Sequence, residues 1–221
     1  MHHLPGVYRG LPARRDRGGG RVIHPIEAES YRILESRIDL SHLESGPRAV
    51  VERVIHASAD PEYARSTVVE VAAVDAGVHA LRAGGPVLCD VEMVRSGIRG
   101  VATECLLADN ASADPDGPTR AARGMRAAAF AHPTGAVVVV GCAPTALDEV
   151  VNLAAQGRFE PALVIGLPVG FVGAAESKAR LRASGLPAIS NVGEKGGSAV
   201  AAAAVNALVR LAAPSSEGNA S

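Results

Sequence analysis

Apolar positions along the chain repeat first at helical spacing and later as short unbroken runs, and the change from one to the other outlines the fold. From His24, the stretch His24-Pro25-Ile26-Glu27-Ala28-Glu29-Ser30-Tyr31-Arg32-Ile33-Leu34 sets apolar residues at 26, 33 and 34 among charges, with Pro25 suited to a first helical turn. That predicts a helix with one buried stripe. Pro47 opens a second helix through Val50, Val51, Val54 and Ile55, ended by Asp60-Pro61. A third helical stretch, near 69–81, closes at Gly84-Gly85. Residues 86–90 then form a short apolar strand ending at an acid, and 136–141, with four consecutive valines, a strand buried on both faces. A helix over about 145–155 with a Gly157 stop, a strand over 162–166, a helix over 174–183 with a Gly185 stop and a strand over 187–191 follow. Gly196-Gly197 opens the last helix, the alanine-rich stretch 199–213. Strands alternating with helices imply an α/β fold, a three-layer α/β/α domain over 21–213 with a mainly parallel, Rossmann-like sheet and right-handed crossovers. Its loops gather at the carboxyl edge, where open α/β sheets bind ligands.

Composition narrows what such a domain can do. With 22 basic and 23 acidic residues the chain has no field to draw it onto nucleic acid, and three Phe, three Tyr and no Trp leave little for stacking on bases. The stretch 199–213 contains Asn206 and Arg210 and falls short of the roughly 20 residues needed to span a bilayer. Neither nucleic acid nor a membrane is expected as a partner. Cys89, Cys105 and Cys142 are far apart and form no CxxC pair, which speaks against a zinc site or a disulfide framework and suits a reducing cytoplasm. The arginine-rich start, with Gly18-Gly19-Gly20 and no apolar core, does not make a signal peptide. Residues 1–20 and 214–221 are expected to be flexible tails. Neither a GxGxxG fingerprint nor a GxxxxGK[ST] loop occurs, so a nucleotide-binding module is disfavoured.

Three places carry candidate chemistry. Arg53 and His56 stand three apart on the second helix and share a face, a cation beside a side chain that titrates near working pH. Spacing alone equally fits a packed or surface histidine. Ile165-Gly166-Leu167-Pro168-Val169-Gly170-Phe171-Val172-Gly173-Ala174-Ala175-Glu176-Ser177-Lys178 is a strand that breaks into a glycine-punctuated turn and restarts as a helix, a shape that can present backbone N–H groups to an anion or simply turn tightly. Gly141-Cys142-Ala143-Pro144-Thr145-Ala146-Leu147 has the same form, with Thr145 placed to cap its helix while the free N–H groups receive a carboxylate. Asp90 and Glu92 could be read as a metal pair, but a strand end exposes the same alternation and no metal is expected. Lys178 and Lys195 are further candidate anion partners.

These two segments, with Cys89-Asp90-Val91-Glu92-Met93-Val94 and Val54-Ile55-His56-Ala57, resemble in order the precorrin-8X methylmutases of cobalamin biosynthesis, over roughly residues 24–212. The resemblance implies an isomerase without a cofactor that moves the C11 methyl of precorrin-8X to C12, giving hydrogenobyrinic acid. It implies His56 as catalytic acid/base and Ser30, Arg53 and Arg120 as substrate contacts, with the turns bearing Thr145 and Gly170 against the substrate or an adjoining subunit. The ring's acetate and propionate side chains suit guanidinium groups. It further implies a homodimer, and the partners expected of such an enzyme include, transiently, the next enzyme of the pathway. The cobalt-precorrin-8 methylmutases of the anaerobic route are the near alternative, and a corrinoid carrier without turnover a more distant one. The chain departs from the family pattern at Cys142, where asparagine is usual, at Tyr31, where phenylalanine is common, and in its arginine-rich start.

Overall fold

A computed structural model describes residues 14–15, 22–107 and 117–214. The expected tails at 1–20 and 214–221 lie outside the described residues, apart from 14–15 and Pro214. In chain order the elements are β1 (Arg14–Arg15), β2 (Val22–Ile23), α1 (Pro25–Arg37), α2 (Ser45–Ser58), α3 (Tyr63–Ser66), β3 (Thr67–Val69), α4 (Val71–Arg82), β4 (Val87–Cys89), α5 (Glu92–Gly97), β5 (Thr103–Glu104), α6 (Arg120–Ala131), β6 (Val137–Val140), α7 (Pro144–Ala155), β7 (Leu163–Gly166), α8 (Ala174–Ala183), β8 (Ala188–Asn191) and α9 (Ser198–Ala212). β1 and β2 pair antiparallel on their own. The remaining strands form a six-stranded sheet in the order β3-β8-β7-β6-β4-β5, parallel except for β3, which runs antiparallel to β8 at one edge.

The central strands β4, β6 and β7 are buried on both faces because they carry no polar side chain, and successive residues point to opposite sides. Val87, Cys89, Val137, Val139, Leu163, Ile165 and Ile189 face a layer built on α1, α2, α4, α5 and α9, which contributes Leu34, Val50, Val54, Val74, Val94 and Val205. Leu88, Val138, Val140 and Val164 face the other layer, where α6, α7 and α8 supply Met125, Ala129, Leu147, Val150 and Leu181. Val137, Val138, Val139 and Val140 are all fully buried, and each contributes about 1.5–3 kcal/mol of apolar burial. Gly166 ends β7 where α7 and α8 close in, and a Cβ there would lie 2.5 Å from Leu181 Cδ2 and 3.0 Å from Leu147 Cδ2.

The three-layer α/β/α arrangement agrees with expectation, and local differences have local causes. Thr67-Val68-Val69 forms an edge strand instead of the start of a helix, since β-branched side chains favour the pleat and the helical stripe begins only at Val71. α2 starts two residues before Pro47, whose missing N–H is unused in a first helical turn, and ends at Ala59 with φ of 52°, before Asp60-Pro61. α5, β5 and α6 have no counterpart in the elements read from periodicity. α6 is Arg- and Ala-rich, with a buried face made of alanine, glycine and one methionine, so its apolar stripe is shallow.

Candidate functional site

Glu27, Ser30 and Tyr31 occupy positions i, i+3 and i+4 of α1, and Arg53 and His56 positions i and i+3 of α2, so each helix turns one polar stripe toward the other. Where the stripes meet, Ser30 Oγ lies 2.8 Å from His56 Nδ1. The Tyr31 ring stacks on the imidazole, with centroids 4.9 Å apart and planes 10° from parallel. Arg53 Nη1 donates to Glu27 Oε1 at 2.8 Å and to the Tyr31 hydroxyl at 3.2 Å. Arg210, in the last turn of α9, donates from Nη2 to the same Glu27 oxygen at 2.9 Å. Three of the residues expected from sequence, Ser30, Arg53 and His56, therefore share one cluster, tied together by three more: Glu27, Tyr31 and Arg210.

The electrostatics of the cluster favour an uncharged imidazole. Partial burial and the Arg53 and Arg210 guanidinium groups hold His56 below the usual histidine value, against the opposing pull of the Glu27 carboxylate. Burial raises Glu27, but its bonds to Arg210 and Arg53 outweigh this, so it stays ionised as the shared anchor of both arginines. With Nδ1 engaged by Ser30, Nε2 is the ring nitrogen left to exchange a proton with a reactant. A histidine with a depressed value is a stronger acid once protonated, and the adjoining guanidinium groups suit a ligand bearing carboxylates.

Of the other expected contacts, Arg120 and Thr145 lie on helices of the opposite layer and Gly170 in a loop at the end of a strand. Arg120 begins α6 on the exposed surface, behind Thr119, which caps the helix by accepting from the Ala122 N–H at 3.3 Å. Thr145 does not cap α7: Ala143 is the N-cap residue, Pro144 opens the helix, and Thr145 Oγ1 instead pairs with Thr119 Oγ1 at 2.7 Å. The N–H groups of this turn are not free for a substrate carboxylate either. Asp90, at the end of β4, accepts from Gly141 at 3.1 Å, Cys142 at 2.8 Å and Ala143 at 2.9 Å. Burial pushes the Asp90 carboxyl up, and these three bonds hold it down in part. Glu92, the other half of the supposed metal pair, binds Arg95 at 2.6 Å. Cys142 contributes its backbone N–H, while loss of solvent around its thiol and the Asp90 charge raise the sulfur above the ordinary cysteine value, away from a reactive thiolate. Gly170 lies in the loop after β7, its N–H donating to Glu194 O at 3.2 Å, beside the projecting side chains of Phe171 and Val172, which are 91% and 88% exposed.

A ligand that touches both His56 and the Arg120–Thr145 surface has to pass over the edge of the sheet or be shared with a second chain, because the two groups belong to opposite layers. Of the residues missed from sequence, Glu27 and Tyr31 carried a readable signal, their helical spacing from Ser30. Arg210 carried none, being 183 positions from Glu27.

Comparison with known proteins gives this arrangement a context. The family model described as precorrin-8X methylmutase matches residues 25–211. The cobalt-precorrin-8 methylmutase of Methanothermobacter thermautotrophicus is 45% identical over 197 residues, covering 88% of this chain and 94% of its own. The precorrin-8X methylmutase of a Sinorhizobium species is 37% identical over 196 residues, covering 84% and 93%. A crystal structure of the precorrin-8X methylmutase from Thermus thermophilus superposes with a TM-score of 0.76 at 38% identity, covering 85% of this chain and 95% of that one. Among the described residues no helix is long and apolar enough to cross a membrane.

Proposed function

The chain belongs to the precorrin-8X methylmutase family, isomerases of the corrin pathway of cobalamin biosynthesis, and from that premise we propose that His56 is the acid/base that moves the C11 methyl of the precorrin-8 ring to C12. The observation that carries this reading is the Ser30–His56–Tyr31 arrangement with Arg53 alongside. Ser30 holds Nδ1 and Tyr31 holds the plane of the ring, so Nε2 keeps a fixed direction. His56 protonates the pyrrole nitrogen next to the migrating methyl, which leaves the neighbouring carbon framework electron-poor. The C11–methyl bond breaks as the C12–methyl bond forms, with the bonding pair travelling to the electron-poor carbon, and His56 recovers the proton. Substrate and product have the same atoms, so the cycle consumes nothing. Arg53 and Arg120 receive the carboxylate side chains of the ring, the Thr145 and Gly170 turns, whose own donors are already engaged, lie against the ring, and a homodimer brings the two layers' contact residues onto one ligand.

The metal state of the ring is the open choice. Precorrin-8X would place the enzyme in the metal-free route with hydrogenobyrinic acid as product. The cobalt-precorrin-8 reading draws support from relatives of that name at 45% and, in Priestia megaterium, 39% identity, against 37% for the metal-free relative from Sinorhizobium.

A visible-spectrum time course with precorrin-8 and, separately, cobalt-precorrin-8 tests both points, run with wild type and His56→Ala. Turnover of one ring, reduced about 10²–10⁴-fold in the variant, is the expected result. Binding of both rings without conversion by wild type would leave a corrinoid carrier, and full activity in His56→Ala would remove the histidine from the mechanism.

A further inference from the structure

Lys178 lies on α8 with none of its surface exposed, and the site described above does not use it. Its Nζ donates to Asn191 Oδ1 at 3.0 Å and to the backbone carbonyl of Lys195. Both acceptors are neutral, and burial, aided by Arg182, brings the ammonium down to about 8. A buried cation whose partners are both uncharged carries a desolvation cost that no opposite charge offsets, so stability alone is a poor account of its presence. What the ammonium does accomplish is to shape one loop. Asn191 Nδ2, held from the other side, donates to Val192 O at 3.3 Å and to the same Lys195 carbonyl at 2.9 Å, while Arg182 Nη1 donates to Asn191 O at 2.6 Å.

The loop so fixed, residues 192–197, reaches in two directions. On one side Glu194 O accepts from the Gly170 N–H, and the Gly197 N–H donates to Leu167 O at 2.8 Å. The backbones approach so closely there that a Cβ on Gly196 would fall 2.3 Å from Leu167 O and 2.4 Å from Pro168 O. On the other side Lys195 Nζ binds Asp60 Oδ2 and Glu62 Oε2, both at 2.6 Å, just beyond the end of the helix that carries His56 in its last turn. Neither lysine is thus a ready anion partner. Together they connect the Gly170 turn to the end of α2.

We propose that Lys178 is a positioning residue: its buried ammonium sets the 192–197 loop, which holds the Gly170 turn and the end of the His56 helix at the separation that the ring requires. This rests on the reading of Gly170 and His56 as parts of one substrate site.

The test compares the full-length wild type with Lys178→Met in three measurements: thermal unfolding, amide hydrogen exchange, and steady-state kinetics with whichever of precorrin-8 and cobalt-precorrin-8 the wild type converts. The unfolding midpoint should fall modestly, since Met fills the space but leaves Asn191 Oδ1 without its donor, the Gly170 and Gly197 amides should exchange about tenfold faster or more while β7 is unchanged, and KM should rise about tenfold with a smaller change in kcat. Unchanged exchange and unchanged KM in a folded variant would reduce Lys178 to packing and overturn the proposal. Should Lys178→Met not fold, Lys195→Ala cuts only the exposed arm to Asp60 and Glu62. A rise in KM without loss of thermal stability then supports the connection, and an unchanged KM overturns it. If wild type converts neither ring, the mutase reading fails by itself, and hydrogen exchange still decides whether Lys178 sets the loop.

Discussion

Two polar regions of this molecule look alike in sequence and behave oppositely in structure. The turn at Gly141, Cys142 and Ala143 has the glycine, proline and helix start of an anion cradle, yet Asp90 of the same chain already fills it with three hydrogen bonds. The stripe of Glu27, Ser30 and Tyr31 on α1 reads as an ordinary solvated helix face, yet it meets Arg53 and His56 across the α1–α2 contact. In the first region the protein's own carboxylate satisfies every donor it faces. In the second, the partners position the imidazole and leave Nε2 free. A motif that could hold a ligand is therefore a weaker guide than whether the fold has left it anything to bind.

Substitutions can separate these roles, and the largest effect falls on the imidazole. His56→Ala should lose about 10²–10⁴-fold in turnover with little change in the unfolding midpoint in urea, the reverse of what the Asp90 turn should show. Asp90→Ala leaves three buried or half-buried N–H groups without their acceptor, and at about 1–3 kcal/mol for each such group it should lower the unfolding free energy by about 3 kcal/mol or more in urea titrations. A variant as stable as wild type would show that water replaces the carboxylate and that the turn is open after all.

The next effect concerns pH. If protonated His56 is the acid, kcat/KM should be highest on the acid side and fall as pH rises through a midpoint below about 6.5, because burial and the arginines depress the imidazole. Arg210→Gln removes one of those cations while Arg53 keeps Glu27 paired, so the midpoint should move up. A midpoint that stays put would detach it from His56. The same depression makes folding stability greatest above the unfolded value of about 6.5, with the histidine's contribution lost as pH falls toward its lower folded value, so His56→Ala should lose less stability than wild type between pH 7.5 and 5. The smallest effect belongs to Ser30→Ala. Tyr31 still orients the ring, and the loss of one hydrogen bond of about 0.5–1.5 kcal/mol should reduce kcat roughly three- to tenfold with KM little changed.

Sequence by itself determined the succession of buried strands and amphipathic helices, because a strand apolar at every position can only lie between two helical layers, and the valines of β6 leave no other place for it. It also placed Arg53 and His56 on one helix face, since that follows from spacing alone, and its ordered motifs identified the family. It could not show that β3 closes one edge antiparallel, because three β-branched residues running into a helical stripe carry too short a signal. Nor could it show that Arg210 meets Glu27 or that Asp90 occupies the Gly141 turn. Those pairings depend on where α9 and β4 come to rest, and such contacts between residues far apart in the chain are decided by the packing of the layers, which no local pattern records.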